Sequence, residues 1–212
     1  MNQRAKPRPP GSVRIIAGQL RGSKLPVPDR PGLRPTSDRV RETLFNWLQP
    51  VLRGARVLDL FAGTGALGFE AASRGAAEVV LVERDPGLAA GLREQAARLR
   101  VEGLRVEAAD ALAWLGRPAT TRFDLVFLDP PFEAGLWQAA AAALAPWLAA
   151  GALIYVECPR NVSPTLPAGW VLHRSGQTRD VEFALYRTNA GPAAPGAATL
   201  APESTPQGDP SE

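Results

Sequence analysis

From residue 56 onward, short runs of Val, Leu and Ile alternate with stretches whose apolar residues recur at helical spacing. Residues 56–61 (RVLDLF), 79–83 (VVLVE), 104–109 (LRVEAA), 123–128 (FDLVFL) and 152–157 (ALIYVE) read as strands. Between them, 65–75, 86–100, 110–116 and 135–151 read as helices. Near-continuous apolar strands alternating with helices predict a mostly parallel sheet covered on both faces, an α/β architecture. Two later runs, 170–175 (WVLHRS) and 181–187 (VEFALYR), are joined by a connection too short for a parallel crossover, which predicts an antiparallel pair at one side of the sheet.

Ahead of this alternation, residues 13–28 hold two apolar runs around glycines and predict a small hairpin. A helix follows, with Pro35 before it, Thr36 or Ser37 as its cap and Pro50 closing it. Val40, Leu44, Trp47 and Leu48 form its apolar stripe, with Arg39 and Arg41 off that stripe. The chain therefore divides into a flexible basic arm (1–12), an N-terminal extension (13–50), a main domain (51–188) and a Pro/Gly/Ala-rich tail (189–212) read as disordered.

Composition changes this picture in one respect. The net charge is only +3, yet residues 1–41 carry ten Lys/Arg against Asp29 and Asp38, leaving the rest of the chain mildly acidic. A basic leader on an acidic body points to an anionic polymer as partner. One cysteine in 212 residues excludes an internal disulfide, and no apolar run has the length of a membrane span. A cytoplasmic protein is expected.

The most informative stretch is VLDLFAGTGALGFEAA, in which a strand ends in the turn Gly63-Thr64-Gly65 and opens a helix. Gly63, Gly65 and Gly68 also satisfy the dinucleotide fingerprint GxGxxG, so glycine spacing alone leaves the cofactor open. Asp59, inside the strand, is placed to meet an amino-acid ammonium. Glu83 ends the next strand 20 residues after Gly63, where a carboxylate accepts both hydroxyls of an unphosphorylated ribose. Asp110 follows the third strand, in reach of an adenine amino group. Glu83 and Asp110 as mere helix caps are the bland alternative.

A glycine turn with acids at three successive strand ends describes a pocket for a nucleoside bearing a positive group, which is the chemistry of S-adenosylmethionine. Residues 55–187 resemble the class I S-adenosylmethionine-dependent methyltransferases, a Rossmann-like fold whose seven-stranded sheet ends in an antiparallel hairpin. In that superfamily a [DNS]-P-P-[YFW] tetrapeptide after the fourth strand marks methylation of a planar exocyclic amine; here it is Asp129-Pro130-Pro131-Phe132. The residues supply a physical reason. Such an amine has its lone pair delocalised into the ring, and hydrogen bonds to the Asp129 carboxylate and the Pro130 carbonyl favour a pyramidal, nucleophilic nitrogen. The prolines hold that backbone, and Phe132 offers a surface on which a base stacks. Neither a metal nor a covalent intermediate is needed.

The runs RIIAGQLRGSKLPVP, LRPTSDRVRETLFNWL and LDLFAGTGALGFEAASRGA closely resemble the RsmD-type 16S rRNA (guanine-N2)-methyltransferase family across residues 13–187. The resemblance implies methyl transfer to N2 of a guanine in 16S rRNA, within an assembled small ribosomal subunit or a late precursor, by a monomer. It implies that Asp59, Phe61, Gly63, Gly65, Glu83, Asp110 and Ala111 hold the cofactor, and that Asp129, Pro130, Pro131 and Phe132 hold the target amine. Arg21, Arg34, Arg39 and Arg41 are the RNA-contact candidates. DPPF alone serves adenine N6 or cytosine N4 of DNA equally well. A C5-methyltransferase would use a cysteine near Cys158, but Glu157 beside it is the wrong sign for an activated thiolate. His173 is the only histidine and lies in an expected strand, which makes a metal site unexpected. Trp114, Trp137, Trp147 and Trp170 fall in regular elements and read as core.

Overall fold

A computed structural model describes residues 11–28, 30 and 36–189. Arg34, nearly all of the basic arm and the tail beyond Asn189 lie outside the described residues.

The chain opens with a hairpin of β1 (Gly11–Arg14) and β2 (Lys24–Val27), followed by α1 (Asp38–Leu52). The hairpin begins two residues earlier than the sequence pattern indicates: Gly11 and Ser12, assigned to the arm, pair with Val27 and Pro26. Ser37 caps α1 by accepting from the Val40 N–H at 3.4 Å. Pro50 does not close the helix, which runs on to Leu52. A proline in the last turn forfeits one hydrogen bond, and burial of Leu52 to 2% exposure draws the chain through it.

The main body alternates β3 (Arg56–Asp59), α2 (Ala66–Ser73), β4 (Glu78–Glu83), α3 (Pro86–Leu99), β5 (Leu104–Ala108), α4 (Ala111–Leu115), β6 (Phe123–Leu128), α5 (Trp137–Ala143), β7 (Leu148–Pro159), β8 (Trp170–Gln177) and β9 (Val181–Thr188). Seven strands form one sheet in the order β5-β4-β3-β6-β7-β9-β8. All pairs are parallel except β7–β9 and β8–β9, so the expected terminal antiparallel pair is present. One expected helix is shorter than the pattern indicates. Residues 148–151 belong to β7, because Pro146 ends the helical stretch and Trp147 turns into the core.

Alternate strand residues face opposite ways and build two cores. On one face, Val40, Leu44, Phe45 and Leu48 of α1 join Phe69 of α2 and Leu92 of α3 over Val57, Phe127, Tyr155 and Leu185. On the other, α4 and α5 cover Leu58, Val126 and Ile154, with Trp114 and Trp147 stacked at 4.2 Å. Trp137 is buried with them, whereas Trp170 is half-buried against Tyr186. Among the described residues, no helix is long and apolar enough to cross a membrane.

The first face also docks the N-terminal hairpin. The Glu70 carboxylate on α2 accepts from Ile16 N at 2.8 Å and Ala17 N at 3.0 Å, and Ser73 Oγ accepts from Leu20 N at 2.9 Å. Gly18, with φ +84°, lies so close to Ser73 that a Cβ there would collide with its carbonyl. Extension and main body are therefore tied together through the helix that follows the glycine turn.

Candidate active site

The strand order reverses between β3 and β6, and ligands of open α/β sheets bind at the carboxyl ends of strands around such a point. There the chain places its glycine turn, its strand-end acids and the DPPF segment.

The turn is built as its glycines require. Gly63 (φ +52°) and Gly65 (φ +75°) are both left-handed, and Gly65 N–H donates to Ala62 O at 2.7 Å. Gly65 is also the N-cap of α2 and has no side chain to cap it. Asp59 supplies that function from the strand, its Oδ2 accepting from Gly68 N at 3.0 Å. A Cβ on Gly68 would collide with Leu81, which explains the third glycine of the motif by helix–sheet packing.

Glu83 reaches back from β4 to accept from Gly63 N at 2.9 Å, while its other oxygen accepts from Asp85 N at 2.8 Å. Each carboxylate oxygen keeps a lone pair, so bonds to the backbone leave room for two ribose hydroxyls. Asp110 caps α4 by accepting from Ala113 N at 3.0 Å through Oδ1. Its Oδ2 has no partner among the described residues. The helix-cap reading of Asp110 is thus real, and it leaves one oxygen for a ligand. Phe61 is half-buried and Ala111 is buried at the first position of α4. This donor set, with acids at three neighbouring strand ends around a bare glycine turn, fits S-adenosylmethionine.

Beside it, β6 stops at Leu128. Pro130 is buried, and its carbonyl accepts no hydrogen bond among the described residues; the Pro131 carbonyl takes Ala134 N at 2.9 Å, closing a short 3-10 turn. Phe132 is half-buried and tilted against Trp137, ring centroids 6.2 Å apart. Thr36, just ahead of α1, donates to Asp129 Oδ2 at 3.5 Å. Burial, then the nearby Glu157 and Asp59 charges, push the Asp129 carboxyl well above the ordinary carboxylate range, and the Thr36 bond offsets only part of this. Asp59 is pushed up to about 7, mainly by burial.

Three residues of this neighbourhood escaped the sequence reading. The sequence pattern marks Thr36 only as a helix cap, Glu157 only as an unfavourable neighbour of Cys158, and Tyr155 only as a strand residue. Glu157 is buried at 6% exposure and accepts from Tyr155 Oη at 2.6 Å. The signal was present as a glutamate ending an apolar strand next to the one that ends in DPPF.

Two expectations are corrected or sharpened. Arg41 is not an RNA contact: it is fully buried, donating to Arg14 O at 2.9 Å and Asp38 at 2.8 Å and lying 3.6 Å from Glu70. Its position off the apolar stripe reflects a buried ion pair under the hairpin rather than a solvated face. Arg21 and Arg39 are exposed on the extension. Cys158 is buried, with its thiol pushed up to about 11 by burial and by Glu182, Glu157 and Asp129, which removes any case for a thiolate nucleophile.

A sheet ordered β5-β4-β3-β6-β7-β9-β8 with this site at its reversal defines a class I S-adenosylmethionine-dependent methyltransferase. The family described as "Conserved hypothetical protein 95" matches residues 13–187, and the chain belongs to that family. It is 50% identical over 183 residues to Ribosomal RNA small subunit methyltransferase D of Escherichia coli strain K12, covering 85% of this chain and 92% of that protein. It is 44% identical over 186 residues to the protein of the same name from Haemophilus influenzae, covering 85% and 96%. The solved structure of the Escherichia coli protein yhhF superposes with a TM-score of 0.79 at 47% identity, covering 85% of this chain and all of that one.

Proposed function

We propose that this protein methylates the exocyclic N2 of a guanine in small-subunit (16S) ribosomal RNA. The observation that carries the reading is the DPPF turn, which presents the Asp129 carboxylate and the unpartnered Pro130 carbonyl next to the glycine turn. The names of the relatives support an rRNA substrate. The bound cofactor supplies an electrophilic methyl group on a sulfonium, held by Asp59, Glu83 and Asp110. Asp129 and the Pro130 carbonyl accept the two amine N–H bonds, draw nitrogen out of the ring plane and aim its lone pair. Phe132 keeps the base in line. Once alkylated, the amine is acidic, and Asp129, with its raised affinity for protons, receives the proton it sheds.

In this reading the extension, residues 13–50, contacts RNA through Arg21 and Arg39, with Arg34 a further candidate outside the described residues. The protein acts as a cytoplasmic monomer on an assembled small subunit or late precursor. Incubating undermodified small subunits and DNA side by side with enzyme and cofactor, then analysing nucleosides by mass, tests it. N2-methylguanosine from the subunits is the expected product; N6-methyladenine from DNA would overturn the reading.

The acid at the cofactor end makes a second prediction. Asp59 has its proton affinity raised by burial and by Glu83, so a cationic ligand ammonium beside it draws the proton off. Affinity for S-adenosylhomocysteine is expected to rise between pH 5.5 and 7, by up to about tenfold per unit, with a proton released on binding. Titration calorimetry in buffers of different ionisation heat measures both. Asp59→Asn should flatten the rise; an unchanged slope in that variant would remove the ammonium from Asp59.

A further inference from the structure

We propose that Glu157 reads the N1–H of the target guanine, and so selects guanine over any base that presents only an amine. This rests on the guanine-N2 reading above. The register of β6 and β7 pairs Phe127 with Tyr155 and Leu128 with Val156. Continued one residue past the end of β6, that register sets Asp129 opposite Glu157 and on the same face of the sheet, and the Glu157 charge is among those that raise the proton affinity of Asp129.

Glu157 is a buried carboxylate that its surroundings only half satisfy. Tyr155 Oη donates to Oε2 at 2.6 Å and fixes the group. Oε1 has no partner among the described residues. It is not sealed away either, because the sealed and unpartnered side-chain atoms there are Arg41 Nε and Nη1. A buried acid with one oxygen tied and the other open calls for a donor from outside the chain. The same strand end is fastened to the stacking platform. Trp137 Nε1 donates to the Glu157 carbonyl at 2.8 Å, and Phe132 lies against the Trp137 ring. Platform and acceptor thus form one rigid unit.

The chemistry of the base supplies the rest. Guanine presents N1–H and N2–H side by side, both donors. Adenine presents an acceptor, N1, next to its amine, and cytosine likewise N3. Asp129 and the Pro130 carbonyl, which draw N2–H bonds out of the ring plane, are badly aligned for the in-plane N1–H. A second acceptor on the adjacent strand meets that donor, whereas an adenine or a cytosine offers that position only a lone pair and leaves the in-plane N–H contact unmade. Sites that hydrogen-bond a substrate N–H reject analogues lacking it strongly, because the buried group is then left unpaired.

The test uses small subunits assembled on rRNA carrying either guanine or 2-aminopurine at the methylated position, which mass mapping locates first. 2-Aminopurine keeps the amine but has an acceptor at N1. Wild-type enzyme is expected to prefer guanine by at least about 100-fold in kcat/KM. In Glu157→Gln the carboxamide N–H can donate to 2-aminopurine N1, and the preference should fall at least about tenfold. That ratio is independent of how much enzyme is active, so partial misfolding does not affect it. If Glu157→Gln yields no soluble protein, Tyr155→Phe, which unties the carboxylate, decides by a smaller fall in the same ratio. An unchanged preference beside normal wild-type turnover overturns the inference alone. Wild-type enzyme that forms no N2-methylguanosine overturns the functional reading and the inference with it.

Discussion

Asp129→Ala is expected to lower the rate of methyl transfer by about 10²–10⁴-fold while cofactor and RNA affinities stay within a few-fold of wild type. The loss falls on kcat because the carboxylate acts mainly on the reacting nitrogen, pulling an N–H out of the ring plane and then holding the departing proton. Asp129→Asn keeps an acceptor oxygen without the charge and should lie between the two. Stability should move the other way. Burial and the Glu157 and Asp59 charges raise the folded-state proton affinity of Asp129. The stability this acid contributes is therefore full below its unfolded pKa and is lost as pH rises through the folded value. Removing it relieves the cost at neutral and higher pH, so the thermal midpoint of Asp129→Ala at pH 8 should equal or exceed that of wild type. Single-turnover methylation with parallel thermal melts checks both halves. Lost activity with a falling midpoint would mean that Asp129 holds the fold rather than the amine.

That trade between stability and chemistry also explains what was legible in the sequence. Strand and glycine signals are local: a near-continuous apolar run such as residues 123–128 marks a strand covered on both faces, and Gly63 needs a positive φ, whatever the remainder of the chain does. These gave the alternation, the strand-end acids and the DPPF stop without a structure. Roles that depend on which strands lie side by side were not local. Glu157 acquires its meaning from the β6–β7 register, which sets it beside Asp129 across 28 residues of sequence. Thr36 matters because α1 delivers it to Asp129, 93 residues away. Arg41 shows the opposite error. Arginine on the polar side of an amphipathic helix normally meets water, and only a carboxylate on another helix, with a hairpin folded over both, makes that side an interior. Pro50 and residues 148–151 differ for other reasons: burial of Leu52 carries α1 on past Pro50, and Trp147 turns into the core once Pro146 has ended the helical stretch.

The buried Arg41–Glu70 pair leads to an asymmetric result. Glu70→Ala is expected to cost about 3–5 kcal/mol in urea unfolding, whereas Arg41→Met should cost under about 2 kcal/mol. Both side chains are fully buried and 3.6 Å apart, but their partners differ. Glu70 also holds Arg74 Nε at 2.7 Å and the Ile16 and Ala17 N–H groups, so it remains satisfied when Arg41 is gone. Arg41 has Asp38 and the Arg14 carbonyl, yet its Nε and Nη1 have no hydrogen-bond partner among the described residues, and Asp38 is largely exposed. Removing Glu70 leaves that guanidinium buried without its interior counter-charge and leaves the Ile16 and Ala17 N–H groups without their acceptor. Methionine in place of Arg41 fills the stem's volume and abolishes two unsatisfied donors. The same change predicts where the molecule loosens. Glu70→Ala should admit protease cleavage between residues 11 and 27 under conditions in which wild type and Arg41→Met resist it, because the Ile16 and Ala17 amides are released only in that variant. Since α2 follows directly from the glycine turn, loosening it should also weaken binding of S-adenosylhomocysteine. Equal losses for the two variants would mean that the pair, rather than the carboxylate as a hub, secures the extension.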